Sequence, residues 1–296
     1  MNIVILDDGT INPGDLSWAK LEQFGTLTTY DRTASLPLAI ERSREAQIVL
    51  TSKVSITSDF IDACPKLKMI GVLATGYNNI DVSYAKSKGI VITNIPAYAS
   101  EIVAQHTMAL LLEICQLPPQ PLSLKGKTLG IIGYGNISKK VISIASAFGM
   151  NVLIFSHYPD SSVENHLISF CDLEQLLVQS HVVSLHCPMT AENTGFLNKE
   201  FINKMKTGVI ILNTSRGGLI NSQDLASAIS TGKVAYAGLD VLEEEPPRSG
   251  NPLIGMDHVL ITPHIAWSAK ETRARLIDIA IDNVKGFLEK KFKNTI

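Results

Sequence analysis

The chain has 296 residues, of which 45% are hydrophobic and 18% are charged, and its formal net charge is −2. This length and composition are typical of a soluble globular protein of about two domains. The small net charge argues against nucleic-acid and anionic-membrane partners, and no apolar run approaches the roughly 20 residues of a membrane span.

Short apolar runs alternate with helical or turn segments through the first hundred residues. They are rich in Val, Ile and Leu, a pattern typical of parallel strands covered on both faces. Strands are predicted at residues 3–6, 26–30, 48–51, 69–74 and 90–93. A helix is predicted at residues 100–114, and the three prolines of LPPQPL, residues 117–122, should prevent its continuation.

A glycine-rich turn follows, within KTLGIIGYGNISKKV, residues 127–141. An apolar strand at 128–132 leads into Gly133-Tyr134-Gly135 and then a helical segment, the arrangement that a dinucleotide pyrophosphate requires. Gly133 would permit the tight turn and Gly135 the close approach of phosphates. The third glycine of the usual pattern is replaced by Ser138, and an ordinary structural turn is the alternative interpretation.

Further strands are predicted at residues 152–155, 182–186, 209–213, 236–240 and 259–262, and a closing amphipathic helix at 268–290. This alternation predicts an α/β protein with two doubly wound parallel-sheet domains. The first, flavodoxin-like and discontinuous, would comprise residues 1–97 and 267–296 and bind substrate. The second, a Rossmann NAD-binding domain, would comprise residues 98–266. We expect a cleft between them, with functional residues in loops just after strands.

Three such loops carry reactive side chains. Arg216 in NTSRGGLI could hold a carboxylate in bidentate fashion, or could simply cap a turn. GLDVLEEEPP, residues 238–247, contains three glutamates, of which Glu243 and Glu244 are interpreted as solvated. His264 in ITPHIAW follows a strand and a proline, where a structural histidine is the alternative.

The cellular compartment and the presence of a metal site can be judged from the first residues of the chain, its cysteines and its histidines. The segment MNIVILDDG has neither the basic region nor the cleavage site of a signal peptide. The four cysteines are isolated, which fits free thiols in a reducing compartment. The seven histidines show no metal-ligand spacing. We therefore expect a cytoplasmic protein without a metal site.

Taken together, the motifs resemble those of the D-isomer-specific 2-hydroxyacid dehydrogenases, within them the glycerate dehydrogenase or hydroxypyruvate reductase group. The resemblance covers nearly the whole chain and keeps the family's order. Its parts are ATGYNNID, AQHTMALLLEI, the glycine turn, LHCPMT, NTSRGGLI, GLDVLEEEPP and TPHIAW.

The resemblance implies an oxidoreductase that transfers a hydride between NAD(H) and a small D-2-hydroxy acid or its keto acid. Arg216 matches the arginine that anchors the substrate carboxylate, Glu245 the acid paired with the catalytic histidine, and His264 the proton donor. Thr75 and Gly76 match the part of the first domain that meets the substrate carboxylate. Glycerate and hydroxypyruvate are the preferred pair, with D-lactate-like and branched substrates left open.

Cofactor contacts follow from the same resemblance and from the glycine turn. Beside Gly133, Gly135 and His264 they are predicted at Thr107, Asn136, Ile137, Ser156, His157, Cys187, Pro188, Thr214 and Asp240. Asp240 could instead cap its strand end. Asn78 and Asn79 are interpreted as turn residues.

Two departures from the family pattern affect these expectations. Ser156 replaces the acid that usually binds the adenosine ribose, so NAD is expected with weak discrimination against NADP. The connection between Ile114 and Lys125 is short, so a homodimer is expected with a reduced interface. A dinucleotide-sensing, corepressor-like binding protein is the alternative function, and a degenerate scaffold a third.

Overall fold

The computed structural model describes residues 1–117, 121–247 and 250–296. The chain forms two compact units, the first made of Met1–Tyr98 and Ser268–Ile296 and the second of Ala99–Trp267. Each unit contains one parallel sheet, of five and seven strands respectively. The predicted α/β class with two doubly wound parallel sheets is therefore confirmed.

The sheet of the first unit has the strand order β2-β1-β3-β4-β5. Its strands are β1 Asn2–Ile5, β2 Thr26–Thr29, β3 Ile48–Thr51, β4 Met69–Val72 and β5 Val91–Thr93. Every residue of β3 and β4 is buried, as expected for central strands covered on both faces. Because these two strands are parallel neighbours, the loops that follow them meet at one edge of the sheet.

Five helices belong to the first unit: α1 Ala19–Glu22, α2 Leu36–Ser43, α3 Ser58–Ala63, α4 Val82–Ser87 and, from the end of the chain, α10 Lys270–Leu288. The closing helix was predicted at 268–290 and is two residues shorter at each end. Its buried stripe includes Leu276, Ile277, Ala280 and Val284. Burial of this stripe within the first unit explains why the chain returns there.

The sheet of the second unit has the order β12-β11-β10-β9-β6-β7-β8. Its strands are β6 Thr128–Ile132, β7 Asn151–Phe155, β8 Ile168–Phe170, β9 Val182–Leu185, β10 Val209–Asn213, β11 Val234–Leu239 and β12 Val259–Ile261. The prediction omitted β8, a three-residue edge strand that is only half-buried and so lacks a long apolar run.

The helices of the second unit are α5 Ser100–Ile114, α6 Asn136–Ala147, α7 Leu173–Gln179, α8 Lys199–Lys204 and α9 Ser222–Ser230. The bounds predicted for α5 are confirmed. Part of the proline segment expected to end it, residues 118–120, lies outside the described residues. Within the described ranges, no helix combines the length and the apolar character needed to cross a membrane.

Strand order reverses between β6 and β9, which are neighbours although α6, β7, β8 and α7 separate them in sequence. Chain connections then leave in opposite directions from the carboxyl ends of these strands. Such a point is where α/β sheets commonly bind ligands. Gly133 follows β6 there, and His186 and Cys187 follow β9.

Candidate active site

The loop after β10 is shaped by a buried asparagine at the strand end. The Asn213 side-chain amide donates to the carbonyl of Arg216 at 2.9 Å, and its oxygen accepts from the Ser215 N–H at 3.0 Å. These bonds fold the loop back on the strand end. Arg216 itself is half-buried and donates from Nη1 to the Ser215 carbonyl at 2.8 Å. This single bond leaves most of the guanidinium fork for another acceptor.

His264 and Glu245 form the second part of the site. His264 Nδ1 lies 2.5 Å from Glu245 Oε2, and about a third of each side chain is exposed (34% and 32%). The other carboxylate oxygen of Glu245 accepts from the N–H of Leu242 at 3.0 Å. With Nδ1–H directed at the carboxylate, Nε2 is the ring atom that can exchange a proton with another molecule.

A close backbone approach joins the Arg216 loop to the Glu245 loop. A side chain at Gly217 would overlap the backbone carbonyl of Leu242, so this position requires glycine. The approach brings the predicted residues to one cavity of about 220 Å³. It is lined by Met189, Arg216, Gly217, Gly218, Leu242, Glu243, Glu245 and His264. The three predicted catalytic side chains thus share one cavity of the second unit.

His264 has a left-handed backbone, with φ of 55°. A non-glycine residue in this region is strained unless its surroundings hold it. The His264 N–H donates to the carbonyls of Asp240 and Thr262, at 2.8 and 2.9 Å. The Asp240 carboxylate accepts from the N–H groups of Ile265 and Ala266, both at 2.9 Å. These bonds fix the backbone on either side of the imidazole.

Asp240 is almost fully buried, and further donors surround it. Thr262 Oγ1 donates to its carboxylate at 2.5 Å, and His106 Nε2 lies 3.5 Å from the same oxygen. Burial opposes ionisation, yet the hydrogen bonds from His106, Thr262 and the loop outweigh it and hold the pKa of Asp240 below its usual value. The alternative prediction, that Asp240 caps its strand end, agrees with these contacts.

The glycine turn fits a dinucleotide. Gly133 has φ of 101°, and a Cβ there would lie 2.7 Å from the Cys187 nitrogen and the His186 carbonyl carbon. At Gly135 an added Cβ would meet nothing within 4 Å, so the space above the start of α6 is open. Asn136 and Ile137 form the first turn of α6, whose N–H groups have no partner within the helix.

Ser138 is integrated into this turn. It is fully buried, its Oγ accepts from the Gly135 N–H at 2.8 Å, and it lies 3.1 Å from the Gly135 carbonyl oxygen. The serine therefore supplies the Gly135 peptide with hydrogen bonds that a third glycine could not make. The missing glycine of the motif is replaced by a local side-chain bond.

Hydroxyl and amide groups bond to several residues that were predicted to contact the cofactor. Thr107 Oγ1 lies 2.8 Å from Thr214 Oγ1, and both residues are buried. Ser215 Oγ donates to the Cys187 carbonyl at 2.7 Å, and Asn193 donates to the Pro188 carbonyl at 2.8 Å. Burial raises the pKa of the Cys187 thiol, which therefore stays protonated at neutral pH.

At the carboxyl end of β7, Ser156 Oγ accepts from the Tyr158 N–H at 3.1 Å, and the ring of His157 packs edge-on against Phe155. Residues 156–160, which follow this strand directly, include no lysine or arginine. A positive charge from helix α6 lies instead near the end of the neighbouring strand, β6. Lys139, on the first turn of α6, lies 4.8 Å from the ring centroid of Tyr134.

In the first unit, the predicted carboxylate-binding loop follows β4. Thr75 is exposed, its hydroxyl donates to the Ile95 carbonyl at 2.8 Å, and its own carbonyl accepts from the Asn94 side chain at 2.8 Å. Gly76 is half-buried beside it. Asn79 does more than form a turn, because its amide donates to the Val54 carbonyl at 2.9 Å and so links the loops after β3 and β4.

Sequence reasoning missed residues that shape the site without reacting. Gly217, Thr262 and His106 are the main ones. All three stood in motifs already noted, Gly217 in NTSRGGLI, His106 in AQHTMALLLEI and Thr262 in ITPHIAW, so a signal was present. Their partners were hidden because those partners lie far away in sequence. No group of three or more His, Cys, Asp or Glu side chains that could hold a metal ion occurs among the residues that the structure describes.

The chain is similar to known proteins over nearly its whole length. Residues 96–266 match the family model for the D-isomer specific 2-hydroxyacid dehydrogenase, NAD binding domain. The chain is 45% identical to the hydroxypyruvate reductase of Blautia hydrogenotrophica, covering 98% of this chain and 97% of that protein. It is 34% identical to the glycerate dehydrogenase of Methylorubrum extorquens, over 90% of each.

A solved structure gives the same fold. The D-lactate dehydrogenase of Aquifex aeolicus, complexed with NAD and lactic acid, matches with a TM-score of 0.85 at 28% identity, covering 98% of this chain and 96% of that chain. The parallel sheet, glycine turn and family match define an NAD-binding oxidoreductase that acts on a CH–OH group. The chain belongs to the D-isomer specific 2-hydroxyacid dehydrogenase family, as the sequence resemblance indicated.

Proposed function

We propose that this enzyme interconverts hydroxypyruvate and D-glycerate with NAD(H). The observation that carries the proposal is the convergence of Arg216 and the Glu245–His264 pair on one cavity. The relatives named hydroxypyruvate reductase and glycerate dehydrogenase support this substrate pair. The D-lactate dehydrogenase with bound lactic acid keeps other small 2-keto acids as candidates.

His264 is the proton donor in the reduction. Glu245 accepts the Nδ1–H bond and orients the ring, so Nε2–H can protonate the carbonyl oxygen as it becomes an alkoxide. In the oxidation the neutral ring accepts the same proton. Bound NAD(H) supplies or accepts the hydride. The left-handed backbone at His264, held by the bonds to Asp240, keeps the ring oriented for either direction.

Arg216 binds the substrate carboxylate and polarises the adjacent carbonyl. Its planar fork suits a two-point contact with a carboxylate, and only Nη1 is engaged by the loop. From the family resemblance we also propose that the backbone N–H groups of Thr75 and Gly76 bind a substrate carboxylate. The Thr75 hydroxyl and carbonyl bonds, which fix this loop of the first unit, support the proposal.

Substrate choice is tested by measuring NADH oxidation with a panel of 2-keto acids that includes hydroxypyruvate, pyruvate and a branched acid. We expect hydroxypyruvate to give the highest kcat/KM. His264→Ala should lower kcat by about 10²–10⁴ because the positioned acid is lost. Glu245→Gln keeps the size of the side chain but removes its charge, and it should also lower kcat. No turnover with any acid would favour the dinucleotide-sensing, corepressor-like alternative.

NAD is the preferred cofactor in this proposal, with weak discrimination against NADP. Ser156 provides no negative charge to repel a 2′-phosphate, and Lys139 adds a cation near the end of β6. The measurement is the ratio of kcat/KM for NADPH to that for NADH. A ratio above one would contradict the stated preference.

The proposed assembly is a homodimer in the cytoplasm. The dimer is proposed because helix α5 remains although the connection after it is short, and Cys64 and Cys115 are buried free thiols that suit a reducing compartment. The interface is expected to be small because the connection after Ile114 is short. Size-exclusion chromatography with light scattering tests this proposal, and a stable monomer at micromolar concentration would contradict the proposed dimer.

A further inference from the structure

Three basic side chains converge at the amino ends of neighbouring strands in the second unit. His181 immediately precedes β9, the middle strand of the three. Lys127 immediately precedes β6 on one side of it, and Lys206 lies three residues before β10 on the other. Because the sheet is parallel, these residues share one edge, opposite the edge that carries Gly133, Cys187 and Thr214.

Hydrogen bonding fixes the proton on the His181 ring. The N–H of Thr128 donates to Nδ1 at 3.0 Å, so Nδ1 carries the lone pair. The proton of the neutral ring must therefore be on Nε2. Lys206 Nζ lies 3.4 Å from that Nε2. An ammonium has no lone pair, so two donors face each other and both need an acceptor between or beside them.

The charges around His181 are all of one sign. Lys127 and Lys206 are half-buried, and neither forms an ion pair with any residue in the described ranges. Burial first, then Lys206 and then Lys127, lower the pKa of His181, and no carboxylate acts against them. Half-buried cations without an acid partner cost free energy unless an anion or water compensates them.

We propose that His181, Lys206 and Lys127 form a binding site for a small oxyanion of the phosphate or sulfate type. Such an anion accepts from His181 Nε2–H and from both ammonium groups at once. It thereby supplies the missing acceptor and the missing negative charge. The site is independent of the proposed function, since β9 separates the two edges by about 13 Å, four residues at 3.3 Å each.

The test uses the enzyme saturated with NADH, so that sulfate cannot occupy the dinucleotide site. The pKa of His181 is followed by NMR of its ring nitrogens, in sulfate and in chloride at equal ionic strength. We expect sulfate to raise this pKa by about one unit, with saturation, because an adjacent anion favours the imidazolium. Inorganic phosphate is then compared at fixed pH.

The matched variants are Lys206→Met and Lys204→Met, each of which removes one positive charge. Lys204 is exposed and paired with Glu200 on α8, away from His181. Lys204→Met should keep the sulfate response and Lys206→Met should lose most of it, while both keep the turnover of the parent enzyme. Lys127→Met provides a second variant if Lys206→Met folds poorly.

An equal pKa in sulfate and chloride would overturn the proposal and leave water as the acceptor between the two donors. A response that rises without saturation, or one that Lys206→Met and Lys127→Met both retain, would also overturn it. A saturable response that either substitution abolishes supports the site.

Discussion

At the scale of single residues, Gly217 allows the loop that carries Arg216 to lie close to the loop that carries Glu245. Any side chain there would overlap the Leu242 carbonyl, which cannot move without displacing the Glu245 loop. We expect Gly217→Ala to destabilise the enzyme by about 1–3 kcal/mol and to lower kcat, because it separates Arg216 from the Glu245–His264 pair. Thermal unfolding and turnover with hydroxypyruvate measure the two effects.

Gly218→Ala is the matched control for that substitution. An added Cβ at Gly218 would meet only the side chain of Met189, its sulfur at 2.7 Å, and a methionine side chain can rotate away. We expect little loss of stability or of kcat. Equal effects at Gly217 and Gly218 would show that the backbone approach to Leu242 does not matter.

At the scale of elements, the start of α6 depends on the hydroxyl of Ser138. Ser138→Ala leaves the Gly135 N–H without its acceptor, at a typical cost of about 1 kcal/mol for a lost cap. Because the glycine turn is the proposed pyrophosphate site, we expect KM for NADH to rise roughly fivefold while kcat changes little. An unchanged KM would mean that the hydroxyl only stabilises the apoprotein.

The end of β9 carries a histidine that should shape the acid stability of the second unit. Burial lowers the pKa of His186 from 6.5 to about 4, and its Nε2 lies 2.8 Å from the buried Ser184 hydroxyl. Between these two pH values the unfolded chain binds a proton that the folded chain does not. The contribution of His186 to the free energy of unfolding is therefore complete above pH 6.5. It falls as the pH is lowered towards 4, by up to about 3 kcal/mol.

His186→Gln should reduce this loss of stability below pH 6.5, as measured by denaturant unfolding at a series of pH values. His166, an exposed histidine of the same unit, serves as the control, and His166→Gln should keep the slope of the parent. If His186→Gln loses as much stability at low pH as the parent enzyme, other titratable groups cause the pH dependence of the free energy of unfolding.

At the scale of the whole molecule, the first unit is closed by contacts between the two ends of the chain. Arg273 of α10 forms a two-point ion pair with Asp15, at 2.7 and 2.8 Å, and donates to the Ile11 carbonyl at 3.0 Å. The guanidinium holds the pKa of Asp15 below its usual value. The ion pair spans 258 residues of sequence and the bond to Ile11 spans 262.

We expect Arg273→Met to lower the Tm by on the order of 3 °C, because the buried Ile11 carbonyl loses its donor. Lys270→Met also removes one positive charge near Asp15. Lys270 is exposed and its Nζ lies 4.0 Å from the Asp15 carboxylate, so this substitution should change the Tm little. Equal Tm values for the two variants would show that net charge, rather than the buried bond, stabilises the unit.

The sequence by itself determined the α/β class, the bounds of α5 and β6, and the family to which the chain belongs. Apolar runs and glycines are local signals, since burial on both faces and a turn with positive φ each demand particular residue types at fixed spacing. Arg216 and His264 stood out as side chains in loops that follow strands, and the family resemblance assigned their roles and that of Glu245.

Only the tertiary structure decided how those motifs meet. Gly217 against Leu242, Thr262 and His106 on Asp240, and Lys206 beside His181 are contacts between segments far apart in sequence. Strand order brings them together, and no local pattern encodes it. The hydroxyl bond of Ser138 likewise emerged from coordinates, because its geometry depends on how α6 begins.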